Sequence, residues 1–246
     1  MAENPKNGTL IPFGFLISVG IIVAAWIVSE SFEDIKRSGQ TITVKGYAEK
    51  DIVSDLASWS CVYSVKSVDL TESYRELEED GKLVFDYLAS QGFDSSKIKI
   101  KPIQTIKNNR TLPNGRMTDE VMSYTLQKRL TIESENVEKI RDISQNSTVL
   151  IKEGVEFISN SPQYFFTKLN DLKIEMLEEA TKDAKERAET LAQSSGSEVG
   201  SLTSARQGVF QITSLNSNEV SNYGVYDTYS LNKTIKAVVT VKFSIE

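Results

Sequence analysis

Over residues 168–196, Leu172, Met176, Ala180, Ala184, Ala188 and Ala192 recur every fourth position, with Leu169 and Leu191 beside the row. That period predicts an amphipathic helix. Lys173, Glu175, Glu178, Glu179, Lys182, Lys185, Glu186 and Glu189 cover its other side, and Gly196 supplies a C-terminal stop. The run of alanines lets such a helix sit close to a flat surface, most simply a β-sheet.

Alternation with a period of two marks the strands. Residues 40–51 and 55–69 each predict one. In the second, Ala57, Trp59, Cys61, Tyr63 and Val65 share a face, with Ser58, Ser60, Ser64 and Lys66 opposite. A helix follows over 71–91, with Tyr74, Leu77, Val84, Phe85 and Leu88 on its apolar side and Gly81 as a weak point. The strand over 96–107 carries Pro102, which belongs at an edge or bulge. Residues 108–120 predict a loop around Pro113-Asn114-Gly115, and 121–134 the returning strand of a long hairpin. A short helix (136–150), a strand (155–159) closed by Pro162, and the long helix come next. Residues 198–212 predict a strand interrupted by Gly200 and Gly208, and 213–232 a polar, tyrosine-containing loop. The last strand, 233–246, turns Ala237, Val239, Val241 and Phe243 one way. The expected fold is α+β, with largely antiparallel sheets and helices on one face. The body divides into two loosely repeated halves, 40–134 and 135–246.

A different pattern precedes this body. After a polar tail (1–9), residues 10–28 carry no charge. As a helix they would span about 28 Å, near the thickness of a bilayer's hydrocarbon core. A membrane anchor over 10–29 is the main expectation, followed by a linker over 30–39. A cleaved signal peptide and a buried helix are the alternatives. Lys6 and the amino terminus flank one end and Lys36 and Arg37 the other, so charge does not decide the orientation.

Composition narrows the chemistry. The net charge of −6 argues against a nucleic-acid partner. The absence of histidine removes Ser–His–Asp and Cys–His catalysis and His-ligated metals. The single cysteine, Cys61, lies on an apolar face and reads as a buried structural thiol. No Walker-type phosphate loop is present. Asp183 and Arg187 sit four apart, as in an intrahelical ion pair or an interface clamp. The N-x-[ST] triplets at Asn109, Asn146 and Asn232 carry little information. Tyr223, Tyr226 and Tyr229 gather in the late loop, where they serve either loop packing or stacking on a partner. No cofactor, metal or catalytic residue is expected.

Two motifs resemble the SIMPL-domain family, which includes YggE-like proteins of bacterial envelopes. Val44-Lys45-Gly46 and Asp55 match its opening strand pattern, with Ser54 where a proline is usual. Ala180, Asp183, Ala184, Arg187, Ala188, Leu191, Ala192 and Gly196 match its helix motif, A-x-x-D-A-x-x-R-A-x-x-L-A-x-x-x-G. Gly200 and the terminal Val239, Val241 and Phe243 complete the resemblance, which covers 40–246. It implies a secreted or envelope-anchored protein; with the uncharged segment, the expectation is a single pass through the bacterial cytoplasmic membrane and a body facing the periplasm or outside. It also implies a non-enzymatic domain that forms homo-oligomers, in some members ring-like, with a link to oxidative or envelope stress. A binding module for a small apolar or lipid ligand is the alternative.

Overall fold

The computed structural model describes residues 17–26 and 40–245. Residues 17–26 are helical, with every side chain exposed. The rest of the expected anchor (10–16 and 27–29), the tail (1–9) and the whole linker (30–39) lie outside the described residues. Among the described residues no helix is long and apolar enough to cross a membrane.

The body is α+β and forms two compact units. One gathers the chain up to Glu49, Lys173–Phe210 and Lys236–Glu246; the other gathers Lys50–Leu172 and Gln211–Ile235. Strands β1 (Thr41–Val53) and β11 (Asn232–Ile245) each contribute residues to both.

The second unit is built on a six-stranded sheet. Its centre is β2 (Leu56–Ser67), antiparallel to β5 (Met117–Ser134) along its whole length, from Ala57 opposite Ser134 to Ser67 opposite Tyr124. β3 (Lys99–Ile100) and β4 (Gln104–Thr111) line the far side of β5, separated by the segment holding Pro102. β6 (Glu156–Ser159) and β7 (Gln163–Phe165) line the far side of β2. The alternation expected in β2 holds: Ala57, Trp59, Cys61, Tyr63 and Val65 are all buried. Helices α1 (Leu70–Ser90) and α2 (Val137–Asn146) cover that face with Leu77, Val84, Leu88, Ile140 and Ile143. Trp59 satisfies its indole N–H on Ser159 Oγ at 3.0 Å.

Several local expectations change. The buried row of α1 is Ser73, Leu77, Gly81, Val84 and Leu88, which leaves Tyr74 half exposed. Ser73 is tolerated inside because its hydroxyl donates to the Asp69 carbonyl. Gly81 is a close-packing position: a Cβ there would lie 2.9 Å from the Tyr63 hydroxyl. The loop expected over 108–120 is mostly strand, leaving a tight turn in which Gly115 takes φ +79°. The second part of the predicted 136–150 helix is a 3₁₀ segment, Ser147–Glu153. Two short strands were not expected: β7, after Pro162, and β10 (Val225–Tyr226) inside the late loop. β10 runs parallel to β9 (Gln211–Ser214).

In the first unit, β8 (Val199–Gln207) pairs antiparallel with β11, from Val239 opposite Gln207 to Ile245 opposite Val199. The Ile245 N–H donates to the Gln40 carbonyl at 3.0 Å. Most of α3 (Leu169–Ser194) belongs here, and its alanine row is buried from Ala180 to Ala192. Ala237, Val239, Val241 and Phe243 are buried as the alternation predicts.

Candidate functional site

Most motif residues of the sequence meet in the first unit. Gly46 of β1 lies against α3 so closely that a Cβ would stand 2.7 Å from the Ala184 Cβ. Only glycine opposite alanine allows that approach. One residue on, the Tyr47 N–H donates to Asp183 Oδ2 at 2.8 Å, and Arg187 Nε donates to the same oxygen at 2.8 Å. Burial pushes the Asp183 carboxyl up, but these two donors outweigh it and hold it below the usual carboxylate range. Asp183 therefore ties strand to helix, with Arg187 as its intrahelical partner. Ala188 and Ala192 continue the buried row, whereas Leu191 faces out, 55 % exposed. Gly196 takes φ +76° past the helix end, and Gly200 sits in β8. This cluster is a packing joint between strand and helix.

Asp55 works elsewhere, in the second unit. Its carboxylate accepts from the Thr167 N–H (2.7 Å) and the Thr167 hydroxyl (2.8 Å), and its own N–H donates to the Phe165 carbonyl. It pins the segment that leads into α3.

The late loop is held from below by a lysine. Lys233 is fully buried, and its Nζ donates to the Tyr164 carbonyl. Burial pushes its amine down, against the pull of Asp227. The Tyr164 N–H donates to the Thr228 carbonyl at 2.7 Å. Asp227 Oδ1 accepts from the N–H groups of Tyr229 (2.7 Å) and Ser230 (3.2 Å). Of the three loop tyrosines, Tyr223 is almost wholly exposed and Tyr226 lies in β10 with its ring 5.8 Å from Lys233 Nζ. Tyr229 stands 68 % exposed on this anchored turn. Sequence reading missed Lys233, although a signal was present. It has the parity of Ile235, Ala237, Val239, Val241 and Phe243, and the apolar row extends back to it.

Tyr229 borders two clefts of about 500 Å³ each. The first lies on the sheet face opposite the helices, lined by Ser58, Ser60, Thr131, Gln163 and Arg129. Register explains the grouping: Ser60 faces Thr131 across the β2–β5 ladder, and Ser58 faces Gln163 across β2–β7. Asn160 forms the shared wall, its amide donating to Ser60 Oγ at 3.0 Å and its N–H to the Ser60 carbonyl. The second cleft adds Arg141, Ser144 and Gln145 on the far side of Asn160 and Ser161. No carboxylate lines either cleft. Arg141 is engaged by Glu138 and Asp142. Among the described residues, Arg129 has no acidic partner within 4.0 Å.

Cys61 is fully buried, and burial pushes its thiol up to about 12. Among the described residues no group of three acidic or cysteine side chains could hold a metal ion.

Residues 42–243 fit the family described as SIMPL, protein of unknown function (DUF541). No curated protein matches the chain.

Proposed function

Starting from the chain's membership of the SIMPL (DUF541) family, we propose a non-enzymatic, membrane-anchored envelope protein whose extracytoplasmic body self-assembles. The observation that carries this reading is β8. It pairs with β11 alone among the described strands, and residues 201–207 are all exposed. Its free edge presents unpaired N–H and C=O groups, a template for a strand of a second copy. Arg206 is the single charge along it, and Leu202 is 55 % exposed, so little repels such pairing.

The uncharged stretch over 10–28 supports an anchor in the bacterial cytoplasmic membrane, with the body on the periplasmic or outer side. Tethering raises local concentration, so weak edge contacts suffice for a homo-oligomer, ring-like if its rotation closes. Stress defence in the envelope rests on the family resemblance. A small apolar ligand between helices and sheet has less behind it, because Trp59, Tyr63, Leu77 and Leu130 fill that space.

Light scattering on the full chain in detergent tests the reading. The expected species is larger than a monomer and shrinks on Leu202→Lys. A wild-type monomer at micromolar concentration would overturn it. Protease accessibility in spheroplasts tests the location: digestion of the body from outside is expected, and protection in intact spheroplasts would contradict it.

A further inference from the structure

We propose that the cleft under Tyr229 binds a short saccharide carrying a carboxylate. The proposal does not depend on self-assembly. Saccharide recognition needs many neutral hydrogen-bonding groups on a firm base, an aromatic ring for the apolar face of a sugar, and few apolar walls. The cleft supplies each. Ser58, Ser60 and Thr131 project from three positions of a paired sheet, so their spacing is set by the ladder rather than by loop motion. Gln163, from β7, adds an amide that can both donate and accept. Asn160 is fixed by two hydrogen bonds to Ser60, which leaves its side-chain carbonyl oxygen available.

Tyr229 is the aromatic element, and its position is preorganised. Asp227 holds the Tyr229 N–H, Thr228 accepts from Tyr164, and buried Lys233 holds the Tyr164 carbonyl. The chain of bonds runs from the interior to the rim. An exposed ring on a turn held this way loses little freedom when a ligand stacks on it.

Arg129 sets the charge. Its guanidinium has no acidic partner among the described residues, and no carboxylate lines the cleft. A planar fork with unused donors matches a carboxylate in bidentate geometry. A neutral sugar would leave it unused, and a bare anion would leave the hydroxyl-bearing floor and Tyr229 unused. The volume of about 500 Å³ lies in the usual range for small-ligand sites, roughly 300–1,000 Å³.

The test is calorimetry on the full chain in lipid nanodiscs, which avoids sugar-based detergents. The probes are trigalacturonate, neutral maltotriose, a triglutamate peptide and sulfate. Trigalacturonate is expected to bind with Kd below about 1 mM, with each other probe at least about tenfold weaker. Arg129→Gln should weaken trigalacturonate about tenfold and abolish its preference over maltotriose. Tyr229→Ala should weaken both saccharides. Both side chains are exposed, and an unchanged thermal transition in each variant will show that the fold is kept. No binding of trigalacturonate would overturn the proposal. So would equal binding of sulfate or triglutamate, or full binding by Arg129→Gln.

Discussion

A Cβ built on Gly46 would stand 1.9 Å from the carbonyl oxygen of Ala180. No side chain fits there unless β1 or α3 moves, because the obstacle is backbone. Gly46→Ala is therefore expected to lower stability by about 1–3 kcal/mol, as overpacking does. For a body of this size that is roughly 2–10 °C in Tm. An unchanged melting temperature would refute the close approach.

The same joint predicts a contrast along one helix. Ala184 is fully buried, whereas Leu191 is 55 % exposed. Ala184→Leu should cost about 1–3 kcal/mol, while Leu191→Ala should stay within about 0.5 kcal/mol. Denaturant titration of both variants checks this, and equal losses would place the alanine row wrongly.

Asp183 is the polar half of the joint. Asp183→Asn keeps an acceptor for the Tyr47 N–H, whereas Asp183→Ala removes it. Alanine is expected to cost about 0.5–1.5 kcal/mol and asparagine less. The sign with pH follows from the depressed carboxyl. The wild-type advantage is present above the ordinary value of about 3.9 and is lost as pH falls through the lower folded value. Stability curves of wild type and Asp183→Asn should therefore converge in acid; parallel curves down to pH 2 would contradict the assignment.

How much of this was readable in advance depends on the length of each pattern. The alanine row of α3 and the faces of β2 and β11 repeat over many residues, and the structure bears them out. The helix motif and Gly46 marked the joint, although neither said that Asp183 would hold a strand N–H 136 residues away. The unread parts are short or set by distant partners. β7 has three residues and exists because β2 offers a free edge to it. Residues 108–120 are polar on both faces, so the hairpin gave no alternation to read. The two units are each assembled from separated stretches, which no local pattern reports. Arg129 and Asn160 become neighbours of Tyr229 only through the sheet register.

Cys61 makes a prediction in alkali. Its thiol is pushed up to about 12 by burial, against about 8.5 in an unfolded chain. Between those values the unfolded state gives up a proton that the folded state keeps, so stability falls as pH rises, by about 1.4 kcal/mol per unit from this group. The difference between wild type and Cys61→Ala, measured from pH 8 to pH 10.5, isolates it. Wild type should lose ground steadily above about pH 9. A flat difference would show that the thiol ionises freely. Disulfide-exchange reagents at pH 8 should also leave the native thiol unmodified and label it fully in denaturant.

The anchor reading predicts where a truncated chain goes. Residues 10–28 are the one long uncharged stretch of the chain, and burying such a segment in a bilayer is what would hold the protein there. The body has its own cores: Trp59, Tyr63 and Leu130 in the second unit, and the alanine row with Val239 and Val241 in the first, are all buried. Removal of residues 1–38 should therefore release a folded body into the soluble fraction, with a cooperative thermal transition. The full chain should require detergent for extraction. If the truncated chain still sediments with membranes, the body itself binds the bilayer and a single N-terminal anchor is the wrong account. If the full chain is soluble without detergent, the stretch over 10–28 does not serve as an anchor at all.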